Sequence, residues 1–216
     1  LSVSDEAGSR AVGIICLIGF LMGVIIAFET ALVAQIFGAV IFVVNGIGIA
    51  MTRELGPLMT AILFAGRSGS AFAAQLGTQK VNEELNALTT FGLSPMYFLV
   101  VPRLIASSLV VPLLSVFATI LGILGGGLVM AMYDITYTQF YVQLLKSVTV
   151  TDIVFGLVKA VIFGFVIALI GCQCGMNTGA GAAAVGSSTS KSVVKSIIWI
   201  VVIDGAAALL TNRLGI

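Results

Sequence analysis

Three long apolar stretches constrain the fold of this chain more than any other feature. They occupy residues 104–130, 153–174 and 193–212, and each is bounded by charged residues or a polar loop. A helix crosses the hydrocarbon core of a bilayer with about 20 predominantly apolar residues, because each residue adds about 1.5 Å of rise. Each stretch therefore predicts one transmembrane helix.

The apolar N-terminal region is interrupted by Glu29 and by the adjacent Arg53 and Glu54. If these charges marked loops, the last of three helices would be too short to cross the bilayer. Two long helices, at roughly 10–36 and 44–68, fit better and place the charges inside the spans. The sequence therefore predicts an all-α integral membrane protein, a single transmembrane domain of five helices over all 216 residues.

Composition agrees with this class of protein and excludes others. Of the 216 residues, 59% are apolar and 9% are charged, whereas a soluble domain carries about 25% charged residues. A net charge of +1 without basic clusters excludes a nucleic-acid-binding surface. The sequence contains no histidine, so we expect neither a metal site nor a serine–histidine–acid catalytic set.

One glycine-rich segment has the spacing of a phosphate-binding loop but lacks its chemistry. Gly181 and Gly186 are correctly separated, yet Ser187 stands where the lysine should be, and no apolar strand precedes the segment. Without that lysine the loop loses its cationic contact to the phosphates. We therefore expect a non-enzymatic subunit without a cofactor, whose ATP-driven work comes from another chain.

Pairs of glycines four residues apart predict how the helices pack. The pairs are Gly19 with Gly23, Gly122 with Gly126, and Gly171 with Gly175. Small residues at this spacing let two helix backbones approach closely in lipid. We expect ordinary packing between helices of this chain.

Lysine and arginine residues in the short loops predict the orientation. When the segment between Arg67 and Arg103 is placed in the cytoplasm, most basic residues fall on that side, Lys80 and Lys191 among them. Lys146 then lies outside. The chain is expected to begin in the cytoplasm and to end outside.

The cytoplasmic segment TQKVNEELNALTTFGLSP carries an amphipathic pattern. Val81, Leu85 and Leu88 recur at i, i+4 and i+7, which predicts a short helix over about 78–91 with one apolar stripe. The charged residues off that stripe are Lys80, Glu83 and Glu84. Such a helix either rests on the membrane or docks a cytosolic partner, and the pattern leaves both open.

The stretch MTRELGPLM places two charges and a proline inside the second predicted span. Arg53 lies 14 positions before Arg67, or about 21 Å along a helix, in the outward half of the hydrocarbon core. An arginine there costs about 2.5–3.5 kcal/mol, so it should face protein or a wet cavity. Adjacent helical residues diverge by about 100°, so Arg53 and Glu54 should meet different neighbours. Pro57 removes a backbone donor and favours a kink.

Three motifs follow one another along the chain: RELGPLMTAILFAGRSGSAFAAQLGTQKVNEELNAL, GLSPMYFLVVPRLIA, and GAAAVGSSTSKSVVKS leading to Asp204. They resemble those of the MlaE-type permeases, the membrane subunits of ABC systems that move phospholipid between the bacterial inner and outer membranes. The resemblance extends from about residue 10 to the C-terminus, and its RELGP-to-QLG portion is the most specific. These permeases also have a relative in the chloroplast inner envelope.

The resemblance implies a set of partners. They are a phospholipid substrate, a second copy of the chain in a homodimer, two cytosolic MlaF-like ATPase subunits, an outward MlaD-like protein with an MCE domain, and a small cytosolic accessory subunit. The membrane would be the bacterial inner membrane or the chloroplast inner envelope. The segment from Val81 to Leu88 would be the coupling helix. Such permeases begin with an interfacial helix, which we expect upstream of Leu1.

The intramembrane charges then have two possible roles. Glu29 and Asp204 could pair with Arg53 and Glu54 and lock the dimer. We favour an outward-opening cavity in which Arg53 meets a lipid phosphate, while Glu54 orients that arginine or gates the cavity. The other residues predicted to line this cavity are Leu55, Ile49, Phe28, Leu32 and Ile36.

Two other classes of function stay open from the residues alone. A secondary transporter would use Glu29, Glu54 or Asp204 as a proton or cation site and would need no ATPase. A non-transporting scaffold subunit would use every intramembrane charge for structure. Co-purification with an ATPase separates the resemblance-based function from both.

Overall fold

A computed structural model of this chain describes the backbone of residues 2–214 and the side chains of residues 12–211 and Arg213. Every regular element in this part of the chain is a helix. Five helical stretches are long and apolar enough to cross a membrane: Val12–Ile36, Ile41–Val81, Met96–Ala131, Val150–Met176 and Ala182–Thr211. The predicted all-α membrane fold is confirmed, and we number these stretches as the first to fifth spans.

The second and third spans combine α-helical and π-helical segments. The α-helices of the described residues are α1 (Ser2–Ile36), α2 (Ile41–Ala50), α3 (Gly56–Phe64), α4 (Ser70–Val81), α5 (Glu84–Thr90), α6 (Val101–Ala131), α7 (Tyr137–Ser147), α8 (Val150–Met176) and α9 (Ala182–Leu214). The π-helical segments are Met51–Leu55, Ala65–Gly69 and Met96–Val100. Hydrogen bonds in a π-helix join residues five apart, and such segments are frequent at functional sites.

The second span is longer than the sequence predicted. The prediction ended near residue 68, whereas the helix continues through α4 to Val81. Packing stabilises this continuation, whose buried residues are Phe72, Ala73, Leu76 and Gly77. The turn before the span is also shorter than predicted and occupies residues 37–40. Gly38 adopts a left-handed conformation there (φ 64°), which ends α1.

The sequence predicted one coupling helix over about 78–91, and the structure divides that segment in two. α4 ends at Val81 and α5 begins at Glu84, with Glu83 between them in a left-handed conformation (φ 61°). This conformation interrupts a right-handed helix. Lys80 and Val81 therefore belong to the end of the second span, and α5 alone forms the short helix.

A helix that the sequence analysis did not predict, α7, precedes the fourth span. A capping box between Thr136 and Gln139 starts α7, and its 11 residues are too few to cross a membrane. The Gln143 amide donates a hydrogen bond to Asn45 Oδ1 at 2.8 Å, which ties α7 to α2. The helix was not predictable from apolar length, because it is short and mixed in polarity.

The chain, which the sequence analysis treated as one domain, divides into two compact units. The first unit contains the residues up to Ala11, Ala61–Val111, and the chain from Val161 onward. Within it α4 packs against α9. α8 also approaches α4 closely, since a Cβ added to Gly175 would lie 2.7 Å from the Leu76 Cβ.

The second unit contains Val12–Thr60 and Pro112–Ala160. The backbones of α1 and α6 meet here at two of the predicted glycines, because a Cβ on Gly23 would lie 1.8 Å from the carbonyl oxygen of Gly122. The buried core of this unit consists of Ala27, Ala31, Val43, Val44, Ile47, Met51, Val129, Met130, Ile135 and Phe140. The glycines therefore pack helices within the chain, as expected.

Candidate functional site

The candidate site lies in the second unit, where the second span becomes π-helical at Met51–Leu55. The Gly56 N–H bonds to the carbonyl oxygen of Met51, five residues back, and the Thr119 hydroxyl donates to the same oxygen at 3.2 Å. Pro57 follows directly and has no N–H to donate. The distortion predicted at the proline thus takes the form of a π-helical segment, and this segment carries both charges.

Arg53 forms an ion pair with Asp152, in the first turn of α8. The Arg53 Nη1 lies 3.4 Å from the Asp152 Oδ1, and both side chains are largely covered, at 19% and 10% exposure. The guanidinium also lies over the Phe155 ring, 5.2 Å from its centroid. Thr149 holds the carboxylate from the other side, since its hydroxyl and its N–H donate to Oδ2 at 2.6 and 3.0 Å. The carboxylate is therefore fixed at the N-terminus of α8, which favours negative charge.

Glu54 forms a second ion pair, with Lys159. The Lys159 side chain is 2% exposed and the Glu54 side chain is 32% exposed, so the cation is the buried partner. The ammonium also lies 5.5 Å from the centroid of the Phe155 ring. Asp152, Phe155 and Lys159 recur at i, i+3 and i+7, which places them on one side of α8. One side of α8 therefore receives both charges of the π-helical segment.

The partners of the two charges differ from those considered in the sequence analysis. The candidates from the sequence were Glu29 and Asp204, whereas the ion pairs join the two charges to Asp152 and Lys159. Glu29 is exposed on α1, and Asp204 is half-buried on α9. The inference that adjacent charges meet different neighbours is confirmed, although both neighbours come from α8.

The apolar residues predicted to line a lipid cavity lie on several surfaces. Phe28, Leu32 and Ile36 are exposed along α1, at 40%, 57% and 80%. Ile49 is 37% exposed on α2, and Leu55 is half-buried against the core of the second unit. Their assignment to a lipid cavity stays a prediction.

A groove of about 290 Å³ in the second unit lies beside the charged segment. Its lining residues are Thr52, Pro57, Ser115, Val116, Thr119, Ile120, Ile123, Leu144, Leu145, Val148, Ile153, Gly156 and Leu157. None of the seven residues predicted for the lipid cavity is among them. We call it the lateral groove.

Comparison with known proteins identifies the family of this chain. The family model described as Permease MlaE matches residues 2–210. The chain belongs to the MlaE permease family. The resemblance on which the sequence analysis relied is thereby confirmed over nearly the whole length.

Curated relatives of this MlaE-family permease include bacterial and plant proteins. A probable ABC transporter permease protein of Rickettsia typhi is 33% identical, over 90% of this chain and 76% of the relative. A second protein of that description, from a Synechocystis strain, is 35% identical, over 93% of this chain and 76% of the relative. The chloroplastic protein TRIGALACTOSYLDIACYLGLYCEROL 1 of Arabidopsis thaliana is 38% identical, over 73% of this chain and 45% of the relative.

The predicted coupling segment of this permease does not present its apolar stripe outward. Leu85 is 8% exposed, and Val81 and Leu88 are half-buried. α5 contacts α4 across the break between them. Leu85 is thus buried within the chain itself, and the docking of this segment on a partner stays a prediction. Exposed residues of this region are Glu83, Glu84, Phe91, Tyr97 and Phe98.

A buried cation, which the sequence analysis used only as a loop charge, lies in the first unit. Arg103 is 8% exposed and donates to the Leu99 carbonyl at 2.7 Å and to Gln75 Oε1 at 3.3 Å. Its guanidinium lies 5.9 Å from the Phe72 ring centroid. Arg103, in the VPRLIA motif of this permease, is thus a buried cation near the start of the third span, and its hydrogen bonds go to a backbone carbonyl and a side-chain amide.

Proposed function

We propose that this MlaE-family permease is the membrane subunit of an ABC transporter that moves phospholipids between an inner and an outer membrane. The bacterial relatives named probable ABC transporter permeases support the transporter class, and the plant relative, named after a galactolipid, supports a lipid substrate. The observation that carries the proposal is the pairing of Arg53 with Asp152 inside the spans. An intramembrane arginine is costly and is a functional-site hypothesis by default.

Arg53 is suited to exchange its present partner, the Asp152 carboxylate, for a lipid phosphate. Its 3.4 Å contact with Asp152 is longer than the about 2.7–2.9 Å of a strong charge-assisted hydrogen bond. A phosphate, which an arginine can bind through two parallel hydrogen bonds, competes well with such a contact. Asp152 would keep its bonds to Thr149 when the phosphate binds, so the exchange leaves no bare carboxylate in the membrane.

Glu54 and Lys159 would hold the cation in place during that exchange. Lys159 is almost fully buried, so its pair with Glu54 anchors the π-helical segment on α8. Glu54 keeps 32% of its side chain exposed, which leaves it within reach of a polar ligand. In this mechanism Arg53 binds the head group, while the second pair sets the position of Arg53.

The partners belong to the same proposal. We assign ATP hydrolysis to two cytosolic ATPase subunits, dimer formation to a second copy of the chain, and lipid binding on the outward side to an MCE-domain protein, with a small cytosolic accessory subunit. The exposed end of α5 and the aromatic residues after it are the proposed ATPase contact. The membrane is the bacterial inner membrane, or the chloroplast inner envelope for a plastid host.

The proposal is tested in proteoliposomes that contain the permease with its co-purified ATPase. The measurement is ATP-dependent movement of a fluorescent phospholipid by the wild type, Arg53→Lys and Arg53→Ala. Arg53→Ala should abolish movement, and Arg53→Lys should retain part of it, because lysine keeps the charge without the planar donor fork. A photo-crosslinking residue at Leu55, Ile49 or Arg53 should capture phospholipid.

Two results would contradict this function. Normal transport by both Arg53 variants, without lipid adducts at any of the three positions, would leave the charges a purely structural role. Transport that follows a proton gradient in the absence of an ATPase would favour the ion-coupled alternative. Asp134→Asn is the matched control, because Asp134 is an exposed acid between α6 and α7, outside the described spans and away from the proposed ATPase contact.

A further inference from the structure

The lateral groove is built from four helical segments of the second unit. α6 forms one long wall from Ser115 to Ile123, a rise of about 12 Å along the helix. The start of α8 and the end of α7 contribute further walls, and the second span contributes Thr52 and Pro57. Gly156 lets α8 approach the second span closely, since a Cβ there would lie 2.2 Å from the Thr52 carbonyl oxygen. The groove is therefore an elongated channel along α6.

Two of the three polar residues of the lining, Ser115 and Thr119, direct their hydroxyl donors to backbone carbonyls. The Ser115 hydroxyl donates to the Pro112 carbonyl at 2.8 Å, and the Thr119 hydroxyl donates to the Met51 carbonyl at 3.2 Å. The lining contains no charged residue. A ligand in the groove therefore meets methyl and methylene groups, so a hydrocarbon fits it and an ion or polar peptide does not.

The rim of the groove is formed by exposed apolar side chains of the third and fourth spans. Ile120 is 51% exposed and Ile153 is 45% exposed. Ile153 and Leu157 follow the start of α8 at Val150 by three and seven residues, or about 5–10 Å of rise. The groove thus opens to the surroundings of the spans, a short distance below the end of the fourth span.

α7 places interfacial side chains above this opening. Leu145, which lines the groove, is 62% exposed, and Tyr141, four residues earlier on the same side of α7, is 60% exposed. Tyrosine is enriched where hydrocarbon meets the lipid head groups, because its ring is apolar and its hydroxyl is polar. Tyr141 therefore marks head-group depth, and the groove lies at acyl-chain depth.

We propose that the lateral groove binds one acyl chain of a bilayer phospholipid. Its volume of about 290 Å³ lies just below the roughly 300–1,000 Å³ of ligand pockets, which suits a single chain and not a whole lipid. A partner's transmembrane helix, about 10–12 Å across with its side chains, would occupy roughly 1,000 Å³ over the length of the α6 wall, which exceeds the volume of the groove. Arg53 does not line the groove, so acyl-chain binding there does not depend on whether phospholipid is the transported substrate.

The bound chain would act on the π-helical segment. Thr52 lies within that segment, Pro57 lies just after it, and Thr119 donates to the Met51 carbonyl. A chain that packs against these three residues stabilises the π-helical arrangement that carries the two ion pairs. The bilayer would thereby influence the geometry of the charged site through the groove.

The test uses the full chain in vesicles of phosphatidylethanolamine and phosphatidylglycerol, with a small fraction of phosphatidylethanolamine that carries a diazirine in one acyl chain. After illumination, mass spectrometry maps the adducts. We expect them to concentrate on Ile120, Ile123 and Leu145. Ile120→Trp should lower adduct formation in the groove several-fold, because the indole fills it from an exposed position and leaves the core intact.

Leu113→Trp is the matched control, since Leu113 is 63% exposed on the same helix and does not line the groove. This variant should leave the adduct map unchanged. Adducts spread evenly over the exposed faces of the spans, or groove adducts unaffected by Ile120→Trp, would overturn the proposal. So would a photo-crosslinker at Ile120 that captures a protein chain instead of lipid in native membranes.

Discussion

The Glu54–Lys159 ion pair predicts unequal effects for the loss of its two members, because their burial differs. The Lys159 side chain is 2% exposed and the Glu54 side chain is 32% exposed. Neutralising Glu54 leaves the buried ammonium without its carboxylate, and breaking a buried pair in this way costs about 3–5 kcal/mol. Neutralising Lys159 leaves a carboxylate that a polar environment can reach, so we expect a loss of about 1 kcal/mol.

The variants that test this asymmetry are Glu54→Gln, Lys159→Met and the double variant. Glutamine and methionine keep the approximate size of the side chains and remove their charges. Because the double variant leaves no unpaired charge, it should be more stable than Glu54→Gln alone. The coupling energy of the double-mutant cycle should be about 2–3 kcal/mol.

The assay is equilibrium unfolding of each variant in mixed micelles of lipid and detergent, followed by circular dichroism, with the free energy of unfolding obtained by linear extrapolation. Glu84→Gln serves as the control, because Glu84 is an exposed acid, and its change should stay within about 0.5 kcal/mol. Equal losses for the two single variants, with additive effects in the double variant, would refute the pairing and the argument from burial.

Two further predictions concern topology and helix packing. In a variant without native cysteines, a cysteine at Lys80 should react with a membrane-impermeant reagent from the cytoplasmic side, and one at Lys146 from outside. Labelling at Lys80 from outside would contradict the predicted orientation. Gly23→Ala should cost about 1–3 kcal/mol, because its Cβ would lie 1.8 Å from the carbonyl oxygen of Gly122. Gly13→Ala, with nothing within 4 Å of the added Cβ, is the control for helix propensity, and equal melting temperatures for both variants would contradict the packing argument.

The five spans were predictable because they depend on a local property of the chain. About 20 apolar residues in succession need a helix in a bilayer whatever their neighbours are, since the backbone must satisfy its own hydrogen bonds there. The glycine spacing likewise predicted close helix contacts, and Gly23 makes one of them. The family was also visible in the sequence, because its most specific motif is a continuous stretch from RELGP to QLG.

Helix ends and short helices were less predictable, because packing decides them. α4 continues beyond the apolar stretch since one of its sides is buried. The break at Glu83 places a non-glycine residue in a left-handed conformation, which no local pattern favours. Leu85 is buried within the chain, whereas periodicity alone left open whether its stripe meets the membrane or a partner.

The sequence by itself determined that Arg53 and Glu54 lie inside a span and must meet different neighbours, because adjacent helical positions point apart. The tertiary structure decided which neighbours these are. Asp152 and Lys159 lie 99 and 105 positions further along the chain, and one side of α8 brings them to the same π-helical segment. Periodicity describes one helix at a time, whereas an ion pair between spans depends on how two helices pack.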